Sequence, residues 1–221
     1  MDRTSHRQVT IPIAQTGGHL PGDLTLPPQA KGLVIFAHGS GSSRMSPRNR
    51  MVATHLVDRG LATLLLDLLT EDEAQDRSNV FDIPLLAGRV VDALVWAAQD
   101  AELDGMKLGL FGASTGAAAA LVAAARAPNV VVAVVSRGGR PDLAGGSLPN
   151  VRAATLLVVG GADFGVIELN EDAFARLDCE KQLKIVPDAT HLFEEPGALD
   201  AVVDLAATWF LDHFTAGAET P

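Results

Sequence analysis

Three side chains that could together perform acyl transfer occur in the order Ser114, Asp163 and His191. A serine hydroxyl is a weak nucleophile at neutral pH and needs an adjacent base, which in turn needs a carboxylate to fix its tautomer and stabilise its cation. Ser114 lies in Gly-Ala-Ser-Thr-Gly, between an apolar run at 108–111 and an alanine-rich segment that ends before Pro128. G-x-S-x-G between a strand and a helix is typical of a strained turn that exposes a nucleophilic serine.

Each of these residues also has a simpler interpretation. Ser114 or Thr115 could cap the helix that follows, because hydroxyls favour that position. Asp163 could be an ordinary turn residue after two glycines, and His191 a loop histidine with satisfied hydrogen bonds. The catalytic interpretation is favoured because each residue follows a different predicted strand, and ligands bind at the carboxyl ends of the strands in a parallel sheet.

Other acids and histidines compete for the same roles. Asp188 and Glu168 are rival acids, but Asp188 is so close to His191 in sequence that we expect it to belong to its own turn. His38 follows a predicted strand and is expected to hold its loop by hydrogen bonds rather than to transfer protons. The remaining four histidines do not follow a strand: His6, His19, His55 and His213.

The predicted elements would position these residues on one sheet. Apolar runs that indicate central strands occur at 33–37, 62–66, 108–111, 130–135, 155–159 and 182–186. They alternate with helical segments and follow an antiparallel hairpin, predicted at 9–13 and 23–26. This order predicts an α/β fold with a mostly parallel sheet of about seven or eight strands and helices on both faces. The short connection between Val135 and Thr155 leaves no room for a lid domain, and residues 1–221 are interpreted as one domain.

Two of the connecting segments carry more detailed predictions. The segment 83–99 is predicted to be a helix that starts at Asp82 and Pro84. Its apolar positions fall on one stripe: Leu86, Val90, Leu94 and Val95. The charged segment 70–78 is expected to be a solvated loop.

The composition disfavours several classes of binding partner, compartment and cofactor. The 221 residues carry a formal net charge of −10, which disfavours nucleic acid and anionic membranes as partners. One cysteine, Cys179, excludes an internal disulfide. The sequence has no apolar targeting segment and no run long enough to span a membrane, so we expect a soluble, cytoplasmic protein. No cluster has metal-ligand spacing, and neither a metal nor an organic cofactor is expected.

This pattern resembles the α/β-hydrolase superfamily, and within it the small, lidless members similar to dienelactone hydrolase. The resemblance extends from about residue 32 to residue 214. It rests on His38-Gly39-Ser40-Gly41, on the G-x-S-x-G around Ser114, on Gly161-Ala162-Asp163 and on Thr190-His191. It implies an oxyanion hole built from the main-chain N–H groups of Ser40 and Thr115, to which the positive end of the following helix contributes.

The resemblance has one departure, which bears on the substrate. Dienelactone hydrolases proper carry cysteine where this chain has Ser114, and Cys179 lies at the wrong end of the sheet to replace it. The resemblance therefore implies serine-type hydrolysis of a small carboxylic ester or lactone through an acyl-enzyme. We also expect Arg137 or Arg140 to bind a carboxylate on the acyl group, unless both are surface residues or paired with acids.

Three alternatives remain open from the sequence. The same residues could cleave thioesters or transfer the acyl group to an acceptor other than water. The fold could also serve as a non-catalytic binding module. Nucleotide binding is disfavoured, because Arg44 occupies the position of the third glycine of the dinucleotide fingerprint. The sequence leaves the oligomeric state open, a homodimer included.

Overall fold

Eight strands form one sheet in the computed structural model of the chain, which describes residues 3–215. The sheet order is β1-β2-β4-β3-β5-β6-β7-β8. The strands are β1 (Ser5–Pro12), β2 (His19–Leu26), β3 (Leu33–Ala37), β4 (Ala62–Leu66), β5 (Leu108–Ala113), β6 (Val131–Arg137), β7 (Ala154–Gly160) and β8 (Lys181–Val186). All pairs from β4 to β8 are parallel, whereas β1 and β2 form an antiparallel hairpin that pairs with β4. The predicted mostly parallel sheet is confirmed.

Helices cover both faces of this sheet. They are α1 (Pro47–Asp58), α2 (Ile83–Gln99), α3 (Thr115–Arg126), α4 (Val166–Arg176) and α5 (Ala198–Thr215). Side chains of α1 and α5 pack with one face of the central strands. Side chains of α2, α3 and α4 pack with the other face, which also receives the apolar side of the hairpin. The central strands are therefore buried on both sides, which is why they consist of continuous apolar runs.

The structure matches the predicted helix 83–99 but corrects its apolar stripe. Val95 is 51% exposed and does not share the buried stripe of α2, on which the charged residue Arg89 is 2% exposed. The segment 70–78 is largely exposed, as predicted, and contains one 3₁₀ turn at Glu73–Gln75. The Glu73 carboxylate accepts a 2.5 Å hydrogen bond from Arg89. This carboxylate thus joins Asp92 of α2, whose Oδ2 lies 3.8 Å from Arg89 Nη1, in neutralising a buried guanidinium.

Helix lengths bear on membrane insertion. Within residues 3–215, no helix combines the length and the apolar composition of a membrane span.

The carboxyl ends of the parallel strands form the edge that carries the candidate site. The loop 38–46 follows β3, and Ser114 follows β5. Gly138 follows β6, whereas Asp163 and His191 lie in the loops after β7 and β8. Every residue that the sequence singled out for chemistry therefore lies at one edge of the sheet, as parallel pairing requires.

Candidate active site

Ser114 occupies a strained turn between β5 and α3. Its backbone has φ 51° and ψ −122°, a conformation that residues other than glycine rarely adopt. The N–H of Ser114 donates to the Arg137 carbonyl at 3.3 Å, and its carbonyl accepts from Ala117 and Arg140 at 3.1 and 3.0 Å. The side chain makes no capping hydrogen bond with the helix. Helix capping therefore does not account for the Ser114 hydroxyl.

The two glycines of G-x-S-x-G make this turn possible. A Cβ atom on Gly112 would collide with the backbone of Ala117 in the first turn of α3. A Cβ atom on Gly116 would collide with the carbonyl oxygens of Ala37 and His38. The loop after β3 thus lies directly against the turn at Ser114, and no side chain other than hydrogen fits between them.

Asp163 and His191 form a hydrogen-bonded pair. The His191 Nδ1 and Asp163 Oδ2 atoms are 2.8 Å apart, and the Asp163 side chain is 11% exposed. Backbone hydrogen bonds join the two loops, because Ala162 donates to the Ala189 carbonyl at 2.9 Å. With Nδ1 bound to the carboxylate, the imidazole is held in the tautomer that leaves Nε2 free to accept a proton.

The end of β6 lies between Ser114 and this pair. Arg137 accepts the Ser114 N–H, and the next residue, Gly138, lies beneath His191. An ideal Cβ atom on Gly138 would be 2.9 Å from the His191 carbonyl oxygen and 3.6 Å from its Nδ1. A histidine paired with a buried carboxylate thus lies at the same sheet edge as Ser114, whereas no hydrogen bond joins the Ser114 hydroxyl to His191 within residues 3–215.

The predicted oxyanion donors lie together, but one of them is engaged. The Ser40 N–H donates to the hydroxyl of Thr115 at 2.9 Å. The N–H of Thr115 is the first in α3, so it has no acceptor within the helix and adds to the positive end of the helix dipole. The Thr115 N–H therefore has no acceptor within the helix, whereas the Ser40 N–H is bound to the Thr115 side chain.

His38 holds the loop after β3, as predicted. Its Nε2 accepts the Leu68 N–H at 3.1 Å, so Nδ1 carries the proton that is donated to the Gly39 carbonyl at 3.0 Å. Burial lowers the pKa of His38, and this effect exceeds the opposing effects of the Gly39 hydrogen bond and the Asp67 charge. The ring is therefore neutral at pH 7, and both nitrogens are used for structure.

The two rival acids have other positions. Asp188 is exposed and has φ 58°, in the turn directly after β8. Glu168 lies in the first turn of α4. Only Asp163, of these three acids, is hydrogen-bonded to His191.

The structure distinguishes between the two predicted substrate-binding arginines. Arg140 makes a two-pronged ion pair with Asp142, with distances of 2.9 and 2.8 Å. Arg137 is 7% exposed and forms no ion pair with an acidic side chain within residues 3–215, and its Nε is buried without a hydrogen-bond partner. Burial and then the charge of Arg48 lower the pKa of Arg137 to about 10, so it remains a cation at neutral pH. Its guanidinium lies 6.0 Å from the centre of the Phe193 ring.

Sequence reasoning missed one polar residue behind the site. Asn170 of α4 is fully buried, and its amide donates to the carbonyls of Gly139 and Val166 at 3.0 and 2.8 Å. It thereby ties α4 to the loop after β6. No motif marks this residue, and only the predicted parallel crossover between β7 and β8 could have drawn attention to a helix there.

A cleft of about 350 Å³ borders the loop after β3. Residues 38–43 form one wall, and Thr70, Val80 and Leu86 contribute to the other. A larger groove of about 630 Å³ lies along β1, β2 and α1 and contains none of the predicted site residues. Of the predicted site residues, only Ser40 lines the smaller cleft, which therefore borders the oxyanion loop and does not enclose Ser114, Asp163 or His191. Within residues 3–215, no group of three or more His, Cys, Asp or Glu side chains could hold a metal ion.

Residues 20–209 match the model of the dienelactone hydrolase family. The chain belongs to this family. It is 53% identical to a crystal structure of dienelactone hydrolase from Anabaena variabilis, with a TM-score of 0.92 over 96% of this chain and 99% of that one. This match and the sheet order confirm the α/β-hydrolase fold.

Other relatives are similar over different extents. Two Mycobacterium tuberculosis proteins from different strains, which carry the name phosphoribosyl transferase, are 58% identical over 192 residues. That match spans 87% of this chain but only 43% of each relative, so the chain spans less than half of their length. Est1E from Butyrivibrio proteoclasticus is 16% identical, with a TM-score of 0.79 over 94% of this chain and 99% of that one, and shares the fold.

Proposed function

We propose that this family member is a serine-dependent hydrolase of small carboxylic esters or lactones. The observation that carries the proposal is the strained backbone of Ser114, whose hydroxyl makes no capping bond. The Asp163–His191 pair at the same sheet edge supports it. The name of the Anabaena variabilis relative supports lactones as well as esters among the substrates to be tested.

In the proposed first step, the Ser114 oxygen attacks the carbonyl carbon while His191 Nε2 takes the hydroxyl proton. Asp163 stabilises the imidazolium that forms and does not itself take the proton. The Thr115 N–H and the positive end of α3 stabilise the negative oxygen of the tetrahedral intermediate, and the loop at Ser40 completes this site.

In the proposed second step, the intermediate expels the alcohol, which takes its proton from His191. The acyl group remains as an ester on Ser114. Water then attacks this ester with His191 again acting as the base, and the acid is released with Ser114 restored.

Intact-protein mass after exposure to a fluorophosphonate tests this proposal. We expect one adduct on the wild-type protein and on the Ser5→Ala control, and none on Ser114→Ala. Ser5 lies on β1, far from Ser114 in the sheet order, so its loss should not affect labelling. Absence of an adduct on the wild-type protein would refute the proposal and would favour a non-catalytic binding module.

Thioester cleavage and acyl transfer use the same residues and are the main alternatives. Matched oxygen and thioesters of one acyl group, assayed with and without an added alcohol acceptor, would separate them. The mycobacterial relatives are more than twice as long as the segment that matches this chain, so their name gives no support to a transferase function here.

We further propose that Arg137, rather than Arg140, binds a carboxylate on the acyl group. Arg140 already has a carboxylate partner in Asp142, whereas Arg137 is a buried cation with an unpaired Nε. A buried charge is costly unless it is paired, so an anionic substrate group would supply what Arg137 lacks.

Hydrolysis of a neutral acetate ester and of the corresponding succinate half-ester tests this assignment. A hydrogen bond to a charged group contributes about 1.5 to 3 kcal/mol, so Arg137→Met should lower kcat/KM for the anionic ester about ten- to a hundredfold more than for the neutral ester. Arg140→Met should keep the wild-type preference. Equal losses on both esters in Arg137→Met would assign this residue a structural role instead.

A further inference from the structure

The contact between Ser40 and Thr115 changes how the oxyanion site can work. The Ser40 N–H donates to the Thr115 hydroxyl oxygen at 2.9 Å, a good hydrogen-bond length. A hole made of two main-chain N–H groups would need this donor to be free. In this structure, the Ser40 N–H is directed instead at the side chain of the residue that follows the proposed nucleophile.

The Thr115 hydroxyl has a hydrogen left to donate. A hydroxyl carries one donor hydrogen and two acceptor lone pairs, and one lone pair accepts the Ser40 N–H. Threonine in a helix commonly donates to the carbonyl four residues earlier, but no hydrogen bond among residues 3–215 has the Thr115 hydroxyl as its donor. Thr115 is 4% exposed, so bulk water has little access to it.

The surroundings of Thr115 fix this group close to Ser114. Thr115 is the next residue after Ser114, and its hydroxyl and main-chain N–H are separated only by the Cα and Cβ atoms. On the other side, Gly39 packs against Ser114, since an ideal Cβ atom on Gly39 would be 3.0 Å from the Ser114 Cβ. The neutral ring of His38 holds the same loop. The hydroxyl is thus held between two rigid elements beside the proposed nucleophile.

We propose that the Thr115 hydroxyl is itself a catalytic hydrogen-bond donor to the oxyanion. The Ser40 N–H donates to the hydroxyl oxygen, and the hydroxyl hydrogen and the Thr115 N–H both donate to the negative oxygen. A hydroxyl that accepts one hydrogen bond is a stronger donor in the next, so Ser40 acts through Thr115 rather than directly. This inference rests on the proposed serine hydrolase function.

Substitutions at Thr115 test this role. Thr115→Val removes the hydroxyl with almost no change of shape, and Thr115→Ser keeps it. Since an oxyanion exists only in the intermediate and the transition state, Thr115→Val should lower kcat about a hundredfold with KM within about threefold of wild type. Thr115→Ser should retain kcat within about fivefold. The rate of fluorophosphonate labelling of Ser114 should follow the same order.

A matched control removes a buried hydroxyl far from the site. Thr155 lies near the opposite end of β7, is fully buried, and donates to the Ala153 carbonyl at 2.9 Å. Thr155→Val should lower the melting temperature but leave kcat unchanged. If Thr115→Val fails to fold, by near-ultraviolet circular dichroism, Thr115→Ala compared with Thr115→Ser gives the same test.

The opposite result would overturn the inference. If the Thr115 hydroxyl only blocks the Ser40 N–H, Thr115→Val would free that donor, and kcat would stay the same or rise. Equal losses in Thr115→Val and Thr115→Ser would point to packing of the methyl group and would also refute a donor role. A wild-type protein that is not labelled at Ser114 overturns the proposed function and this inference together. Labelled wild-type protein with a fully active Thr115→Val overturns only the inference.

Discussion

Replacing Asp163 by asparagine should nearly abolish activity without changing the shape of the site. The carboxylate lies 2.8 Å from His191 Nδ1 and is largely shielded from water. With the charge centres about 4 Å apart and an effective dielectric constant of about 20, loss of the charge removes about 4 kcal/mol of imidazolium stabilisation, or about a thousandfold in rate. An amide N–H facing Nδ1 would also favour the wrong tautomer. We therefore expect kcat to fall about 10³- to 10⁴-fold.

The assay is the steady-state hydrolysis of an activated acetate ester, with the fluorophosphonate labelling rate as a second readout. Asp188→Asn is the matched control, because Asp188 lies in the neighbouring loop and its φ of 58° is one that asparagine tolerates. This control should remain as active as wild type. The role assigned to Asp163 would be refuted if Asp163→Asn kept more than about a tenth of wild-type kcat, or if the control lost as much.

Three further predictions concern the support of the site. Gly116→Ala should lower the free energy of unfolding in urea by about 3 kcal/mol or more, because the added Cβ atom would collide with the Ala37 carbonyl oxygen. An unfolding midpoint close to that of wild type would contradict this packing. Burial lowers the pKa of His38 below its usual 6.5, so the unfolded chain binds more protons than the folded chain just below that pH. The free energy of unfolding should therefore fall as the pH drops below about 6.5. His38→Asn should lose less stability than wild type between pH 7.5 and 5.5, and equal losses would contradict the prediction. Arg89→Met should lower the free energy of unfolding by about 2 kcal/mol, because Glu73 loses its ion pair and keeps only the Thr70 N–H as a donor among residues 3–215. Arg89→Met combined with Glu73→Gln should recover part of this loss, and no recovery would argue against the pair.

The sequence predicted best those strands that are buried on both faces. The predicted strands 33–37 and 62–66 match β3 and β4 residue for residue, because continuous apolar runs are required there. In the hairpin, the prediction found only 9–13 and 23–26, whereas β1 begins at Ser5 and β2 at His19. One face of both strands is largely exposed, so polar residues alternate with apolar ones and an apolar run marks only part of each strand.

Helix α4 was missed because little of it faces the core. Only Asn170 and Ala173 are buried among its residues, and one of these is polar. Its larger apolar side chains, Val166, Ile167, Leu169 and Phe174, are only partly buried, and acidic and polar residues interrupt them in sequence, so no continuous apolar run marks this helix. The same difficulty applies to Arg89 on α2, whose burial depends on a carboxylate from a different segment. Residue type alone predicts exposure there, because a partner distant in sequence is not visible in a local pattern.

In the candidate site, the positions that follow from sheet topology could be predicted, whereas contacts between individual side chains and loops could not. Ser114, Asp163 and His191 could be predicted as neighbours of one sheet edge, because parallel strands bring their carboxyl ends together whatever the side chains do. The hydrogen bond from the Ser40 N–H to the Thr115 hydroxyl could not be predicted, because it depends on how the loop after β3 packs against the first turn of α3. The resemblance implied two main-chain donors and gave no reason to expect a side chain between them.

The backbone at Ser114 joins the fold to the proposed chemistry. A positive φ at a residue other than glycine costs about 1 to 3 kcal/mol and persists only where the surroundings enforce it. Here the N–H of Ser114 is bound to the last residue of β6, and its carbonyl accepts hydrogen bonds from α3 and from the loop after β6. Relaxing the turn would break contacts with three elements at once. Since the hydroxyl does not cap α3, the strained turn leaves it without a helical hydrogen bond, on a partly exposed residue at the edge of the sheet.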